Sequence, residues 1–179
     1  MQIDVLQTPN PDTLKFSVGK TLVENGSLEF KNKQEGKNYE VVTSLFDLGS
    51  VDLVFFGSDF ISVKKKASVD WSVLTEKVRE IINKKIDNNF KPIVVENKAL
   101  STDEIFKKID EVLELKIRPA VAMDGGNITL RSFKDGVAEV ELQGSCSGCP
   151  SSTLTLKQGV ERMLKHYVPE VQSVKAVSI

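Results

Sequence analysis

Thiols are scarce in this chain of 179 residues: Cys146 and Cys149 are its only cysteines. Two cannot build the multi-bridge framework of a small secreted domain. A bond between such near neighbours would also close too small a loop to restrain the fold. A reducing compartment suits the chain best. Long apolar runs are missing as well. Nothing approaches the ~20 consecutive apolar residues of a transmembrane helix, so no membrane partner is expected. Neither sign of charge dominates: 24 basic against 25 acidic side chains leave a formal net charge of −1. The basic surplus with which nucleic-acid binders displace phosphate counterions is absent, and no nucleic-acid partner is expected. The opening Met1-Gln2-Ile3-Asp4-Val5 has neither a basic start followed by an apolar stretch nor an Arg- and Ser-rich character. A secretory signal or intact organelle transit segment is therefore not expected. The expected location is a bacterial cytoplasm, with the mitochondrial matrix after processing as the alternative.

What is present is the ordinary apolar and charged balance of a soluble globular protein, at a length open to one large domain or two small ones. The first half opens with two extended segments, Gln2–Leu6 and Thr13–Val18. Thr8-Pro9-Asn10-Pro11-Asp12 separates them with turn chemistry. Gly26 to Asn38 is polar and glycine-punctuated and reads mainly as loop. A short helix over Val41–Leu48 follows, then Val51–Phe56 and Phe60–Val63 joined by Gly57-Ser58-Asp59 as a hairpin. Asp70 is a helix cap, and Val73, Leu74, Val78, Ile81 and Ile82 recur at helical spacing as far as Ile86.

From Asp87 to Leu100 periodicity lapses, apart from a short strand at Val94-Val95, and the stretch reads as a linker. The expected organisation is an N-terminal α+β domain over residues 1–87, a linker over 88–100 and a C-terminal domain over 101–179. Both are small α/β sandwiches, and the fold class is α+β. Ser101 and Glu104 have capping-box spacing before a helix with Ile105, Ile109, Val112, Leu113 and Ile117 on one face. Pro119 should kink or end it, and Gly125-Gly126 should terminate it. Ile128–Phe133 and Val137–Leu142 alternate around Lys134-Asp135-Gly136, a second hairpin. Gln143 to Pro150 is read as loop. Ser151 or Ser152 then caps a helix with Leu154, Leu156, Val160, Met163, Leu164 and Tyr167 as its apolar residues. Pro169 stops that helix before a last strand, Val171–Ile179.

Chemistry concentrates in Gly144-Ser145-Cys146-Ser147-Gly148-Cys149-Pro150-Ser151-Ser152. Two intervening residues let both sulfurs point to one side of a tight loop, and the glycines permit backbone conformations that other residues resist. The loop runs into a helix start, where unpaired N–H groups favour a thiolate and so strengthen metal binding. Four readings are open: an unligated pair, a thioredoxin-like dithiol, a zinc site and an iron–sulfur site. The order helix–hairpin–loop–helix–strand is not a βαβ beginning, which weighs against the dithiol. Zinc needs about four ligands, and the chain adds only His166, which reads as a solvated residue near a helix C-terminus. Iron–sulfur is favoured. A cluster takes about four thiolates, and a two-fold pair of chains supplies Cys146 and Cys149 twice. Such a shared cluster is releasable.

With these residues in view, the chain resembles the NifU-like (Nfu) scaffold and carrier proteins. In the second half the resemblance rests on Ile117-Arg118-Pro119, Asp124-Gly125-Gly126, Leu142-Gln143-Gly144-Ser145-Cys146 and Cys149-Pro150-Ser151-Ser152-Thr153. The run from Met163 to Val171 adds to it. In the first half it rests on Thr8-Pro9-Asn10-Pro11, Thr13-Leu14-Lys15-Phe16 and the run Val54 to Ile61. The resemblance implies a homodimer that is not an enzyme. It would hold a [4Fe-4S] cluster (with [2Fe-2S] as the alternative) on Cys146 and Cys149, receive it from upstream assembly proteins and deliver it to apo iron–sulfur proteins. Asn127 stands where relatives commonly have Asp. The rival functions are a dithiol oxidoreductase and a zinc-stabilised interaction module.

Other conspicuous residues have plainer readings. Lys64-Lys65-Lys66 reads as a solvated strand end, and Trp71 as packing at the edge of the N-terminal core. Phe55 and Phe56 alternate, so one belongs to the core and the other is covered by a helix or a partner.

Overall fold

The computed structural model describes residues 2–24, 26–87, 90–95, 104–147 and 150–177, with the backbone alone over 150–156. Turn chemistry opens the first half. Strand β1 (Asp4–Gln7) returns antiparallel as β2 (Thr13–Ser17), with Gln7 opposite Leu14. Pro9 and Pro11 have no backbone N–H, so side chains join the Thr13 N–H, which donates to Asn10 O at 2.9 Å, in closing the connection. The Thr8 hydroxyl lies 2.9 Å from the carbonyl oxygens of both Asn10 and Thr13. The Asp12 N–H donates to Asn10 Oδ1 at 3.0 Å. Later residues clasp the same turn: Trp71 Nε1 donates to Pro11 O at 3.1 Å, and Lys65 Nζ to the Asp12 carboxylate at 2.6 Å.

The first half continues with β3 (Val23–Glu24), β4 (Leu28–Phe30) and α1 (Glu40–Phe46). Then come β5 (Val51–Phe56), β6 (Phe60–Lys65), α2 (Trp71–Lys85) and β7 (Ile93–Val94). Five strands form an antiparallel sheet in the order β1-β2-β6-β5-β4, while β3 and β7 pair in parallel. Asp70 caps α2, its carboxylate accepting from the Ser72 N–H at 2.8 Å. Alternation along the strands sets Leu14, Phe16, Val54, Phe56, Ile61 and Val63 against Val42 and Leu45 of α1 and Leu74, Val78 and Ile82 of α2. Each such buried side chain contributes about 1.5–3 kcal/mol of transfer free energy.

Three expectations need correction here. The segment read mainly as loop contains β4, because Phe30 buries its ring against Tyr39 (5.3 Å) and Phe56 (5.9 Å). Lys65 is buried rather than solvated: it ends β6, and its stem packs inward as far as Asp12. Phe56 joins the core beneath the helices. Phe55, on the opposite face, is also fully buried, beside Phe60 at 5.9 Å, with Lys15 Nζ 4.3 Å over the Phe60 ring.

The chain divides into two compact units, Met1–Glu96 and Asn97–Ile179. The second contains α3 (Glu104–Val112), a π-helical turn (Leu113–Ile117), α4 (Arg118–Met123) and β8 (Gly126–Lys134). After these come β9 (Val137–Gly144), α5 (Pro150–Tyr167) and β10 (Ser173–Val177). The capping serine expected at Ser101 lies outside the described residues. Pro119 neither ends nor sharply breaks the helix. Its ring would crowd the carbonyl four residues back, and the backbone widens just ahead of it, the Arg118 N–H donating to Leu113 O. Ile109, Leu113, Ile117 and Val121 stay buried through the wide turn.

Strands β8 and β9 form the expected hairpin. Asp135 (φ 51°) and Gly136 (φ 77°) are both left-handed, as a two-residue turn between Lys134 and Val137 requires. Strand β10 pairs in parallel with β9, giving the order β10-β9-β8. Helix α5 begins at Pro150, ahead of the serines expected to cap it. Of its apolar residues, Val160 and Leu164 are buried, whereas Met163 and Tyr167 are exposed. The side chains of Leu154 and Leu156 lie outside the described residues.

Candidate metal centre

Hairpin register brings two distant loops together. Gly126, first in β8, lies opposite Gly144, last in β9. The turn that ends α4 therefore sits beside the segment entering the cysteine motif. Gly125 (φ 79°) and Gly144 (φ 67°) both occupy the left-handed region, where a β-carbon is strained. Ser145 ties the two loops. Its N–H donates to Gly125 O at 3.2 Å, and its hydroxyl donates to Asp124 O. The Ser147 N–H then folds back onto Gly144 O at 3.1 Å, turning the chain toward α5.

Cys146 sits at the centre of this turn and is only 5% exposed. It belongs to the same buried cluster as Ile109, Leu113, Ile128, Val160 and Leu164, and its sulfur is 3.9 Å from Ser145 Oγ. Gly148 and Cys149 lie outside the described residues. Helix α5 starts at the next position, Pro150, and is 18 residues long, so its N-terminal dipole is fully developed where the motif ends.

His166 sits at the far end of the same helix, edge-on to Tyr167 at 4.9 Å. At 1.5 Å of rise per residue it is roughly 24 Å along the axis from Pro150, too far to join the cysteines of its own chain. Among the described residues, no group of three or more His, Cys, Asp and Glu side chains could hold a metal ion.

The topology also overturns one argument drawn from element order. Strand β9, helix α5 and parallel strand β10 constitute a βαβ unit, with the motif in its strand-to-helix connection. The order of elements hid this, because nothing local distinguishes a parallel return from an antiparallel one. Element order therefore does not weigh against the dithiol reading. Sequence reasoning also missed the seat around Cys146. One signal was available: a helix-ending turn needs only one glycine, so the second of Gly125-Gly126 called for its own explanation. Asn127 is in β8 opposite Gln143, one step from the seat. No helix among the described residues is long and apolar enough to cross a membrane.

Comparison with known proteins gives matches over both units. Residues 3–89 match the family described as "Scaffold protein Nfu/NifU N terminal", and residues 109–175 match the "NifU-like domain" family. The human protein named "NFU1 iron-sulfur cluster scaffold homolog, mitochondrial" is 37% identical over 184 residues, spanning 99% of this chain and 72% of that one. The Arabidopsis thaliana protein "NifU-like protein 5, mitochondrial" is 37% identical over 186 residues, 98% of this chain and 67% of that one. A NifU-like protein of Schizosaccharomyces pombe is 38% identical over 184 residues, covering 96% and 70% respectively.

Proposed function

This chain belongs to the Nfu family of iron–sulfur cluster scaffold proteins, carriers rather than enzymes, and from that premise we propose that two copies share one [4Fe-4S] cluster through Cys146 and Cys149 of each. The cluster is cargo, received from upstream assembly proteins and handed on to apo iron–sulfur proteins. One observation carries the proposal: the chain has two cysteines, and no other described donors gather into a metal-binding group. A [4Fe-4S] or [2Fe-2S] cluster takes about four thiolates, so a two-fold pair of chains completes the coordination.

The chain's own residues would act in three ways. Gly144, in the left-handed region, ends β9 and turns the chain into the motif. The N-terminus of α5, which starts one position after Cys149, would favour negative charge where the motif ends. Sharing between chains makes release possible, since separating the copies or exchanging a thiolate breaks the coordination. Thiols that must stay reduced until loaded suit a reducing compartment.

Anaerobic reconstitution with iron and sulfide tests the reading. The expected product is a brown dimer with about four iron and four sulfide per two chains. Cys146→Ser and Cys149→Ser should each abolish the colour. Retention of one zinc per chain, or a loaded monomer with no external thiol, would sink it. The βαβ setting of the motif favours one alternative, a metal-independent dithiol. Catalytic reduction of a protein disulfide by the metal-free chain would establish that alternative instead.

A further inference from the structure

Gly125 and Gly126 adjoin, yet they answer different needs. Gly125 has a positive φ, and that conformation accounts for it. Gly126 has no such φ, so its backbone is open to any residue and space is the constraint. A β-carbon at Gly126 would lie 2.6 Å from Gln143 O and 2.8 Å from Cys146 Sγ, with Cys146 Cβ at 3.3 Å. The first two distances are well inside van der Waals contact, so something must move. Gln143 O belongs to the β8–β9 hairpin, where Gln143 faces Asn127. A χ1 rotation can swing the thiol away, whereas the Gln143 carbonyl can yield only by a shift of the hairpin backbone, so a β-carbon here displaces the sulfur and strains the strand pair together.

We propose that Gly126 is a positioning residue for Cys146: its bare backbone forms the slot that fixes the direction of the sulfur, and so how this thiolate is offered to a cluster. Ser145 holds the other side, its hydroxyl bound to Asp124 O and its N–H to Gly125 O. The consequence for the cluster rests on the function proposed above. The placement of the sulfur does not depend on what the sulfur binds, and it is measurable without metal.

In the full chain carrying Cys149→Ser, Cys146 is the one thiol left. Its rate of reaction with an aromatic disulfide reagent reports how far the sulfur is sheltered. Adding Gly126→Ala should raise that rate about tenfold or more, because a displaced sulfur reaches solvent. The rise should exceed what the change in urea midpoint accounts for through global unfolding. With both cysteines present, Gly126→Ala should also lower the iron retained after reconstitution. A rate within about twofold of the parent, or a rise fully explained by unfolding, overturns the proposal.

Should Gly126→Ala fail to fold, Ser145→Ala carries the same test without adding volume. It removes the hydroxyl that bonds Asp124 O and is expected to speed the thiol reaction. No change with Ser145→Ala overturns the proposal. If the thiol rates respond as expected but the parent chain takes up no iron and sulfide, the seat is supported and the cluster reading fails.

Discussion

Glu161 accepts a hydrogen bond from the backbone N–H of Val174 at 3.0 Å, tying helix α5 to the outermost strand β10. In a parallel pair alternate N–H groups point away from the neighbouring strand, and the Val174 N–H finds its partner on the helix instead. The same carboxylate accepts from Lys165 at 2.7 Å, one helical turn on. The Lys165 hydrogen bond, with the Val174 N–H second, holds the Glu161 carboxyl below the ordinary glutamate range.

That shift has a definite sign. A carboxyl whose folded pKa is depressed adds stability above its unfolded value of about 4.3, and the contribution is lost as pH falls through the folded value. Glu161→Gln should therefore lower the urea midpoint at pH 7. The gap to the parent should begin to narrow as the pH falls below the unfolded value of about 4.3 and close only once the pH has passed through the lower folded value. A gap that stays constant across that range would show that the charge at Glu161 is irrelevant.

Arg118 offers a second test. Its Nε donates to Ile128 O at 3.0 Å, and its guanidinium pairs with Asp110 at 2.7 Å and with Glu114. It thus fastens the helix across the π-helical turn to β8. Arg118→Ala should destabilise the second unit by about 1–3 kcal/mol, mostly through the carbonyl left without its donor. Trp71, the sole tryptophan, belongs to the first unit. Its fluorescence transition should stay in place while a circular-dichroism transition moves to lower urea.

Lys65 and Asp12 make the converse prediction. The Lys65 side chain is 10% exposed, while the Asp12 side chain, at 37%, keeps much of its hydration. The Lys65 N–H also donates to Asp12 O at 2.8 Å, and that bond survives side-chain replacement. Lys65→Met should cost only about 1 kcal/mol, because the apolar stem is preserved and Asp12 can turn to water. The Trp71 fluorescence midpoint measures this directly, since Trp71 bonds the neighbouring Pro11 carbonyl.

The fragment from Leu100 to Ile179 should reconstitute with the same iron and sulfide per chain as the full protein. It carries both cysteines and a buried cluster of its own, running from Ile109 to Val174. Absorbance and iron analysis of the two side by side decide the matter. A colourless fragment beside a brown full chain would assign ligation or pairing to the first unit.

Much of this architecture is legible in the sequence because its causes are local. The β-rich runs Val51–Phe56 and Phe60–Val63 around Gly57, the Asp135-Gly136 turn and the Asp70 cap each depend on neighbours within a few residues. The cysteine motif is legible for the same reason: spacing, glycines and a following helix all lie within one short stretch. A single apolar residue in a polar run gives no period. Phe30 therefore concealed β4 until its ring was seen against Tyr39 and Phe56.

By itself the sequence determined the α+β class and the presence of two cysteines, Cys146 and Cys149, in one short glycine-containing motif. Tertiary structure alone decided that β10 returns parallel to β9, that Lys65 turns inward to Asp12, and that Gly126 lies under the Cys146 sulfur. Each of these pairs residues from separate elements, 20 positions apart for Gly126 and Cys146 and 53 for Asp12 and Lys65. Local propensity carries no record of such separations. Only close packing, in which a methylene too many displaces its neighbours, selects them.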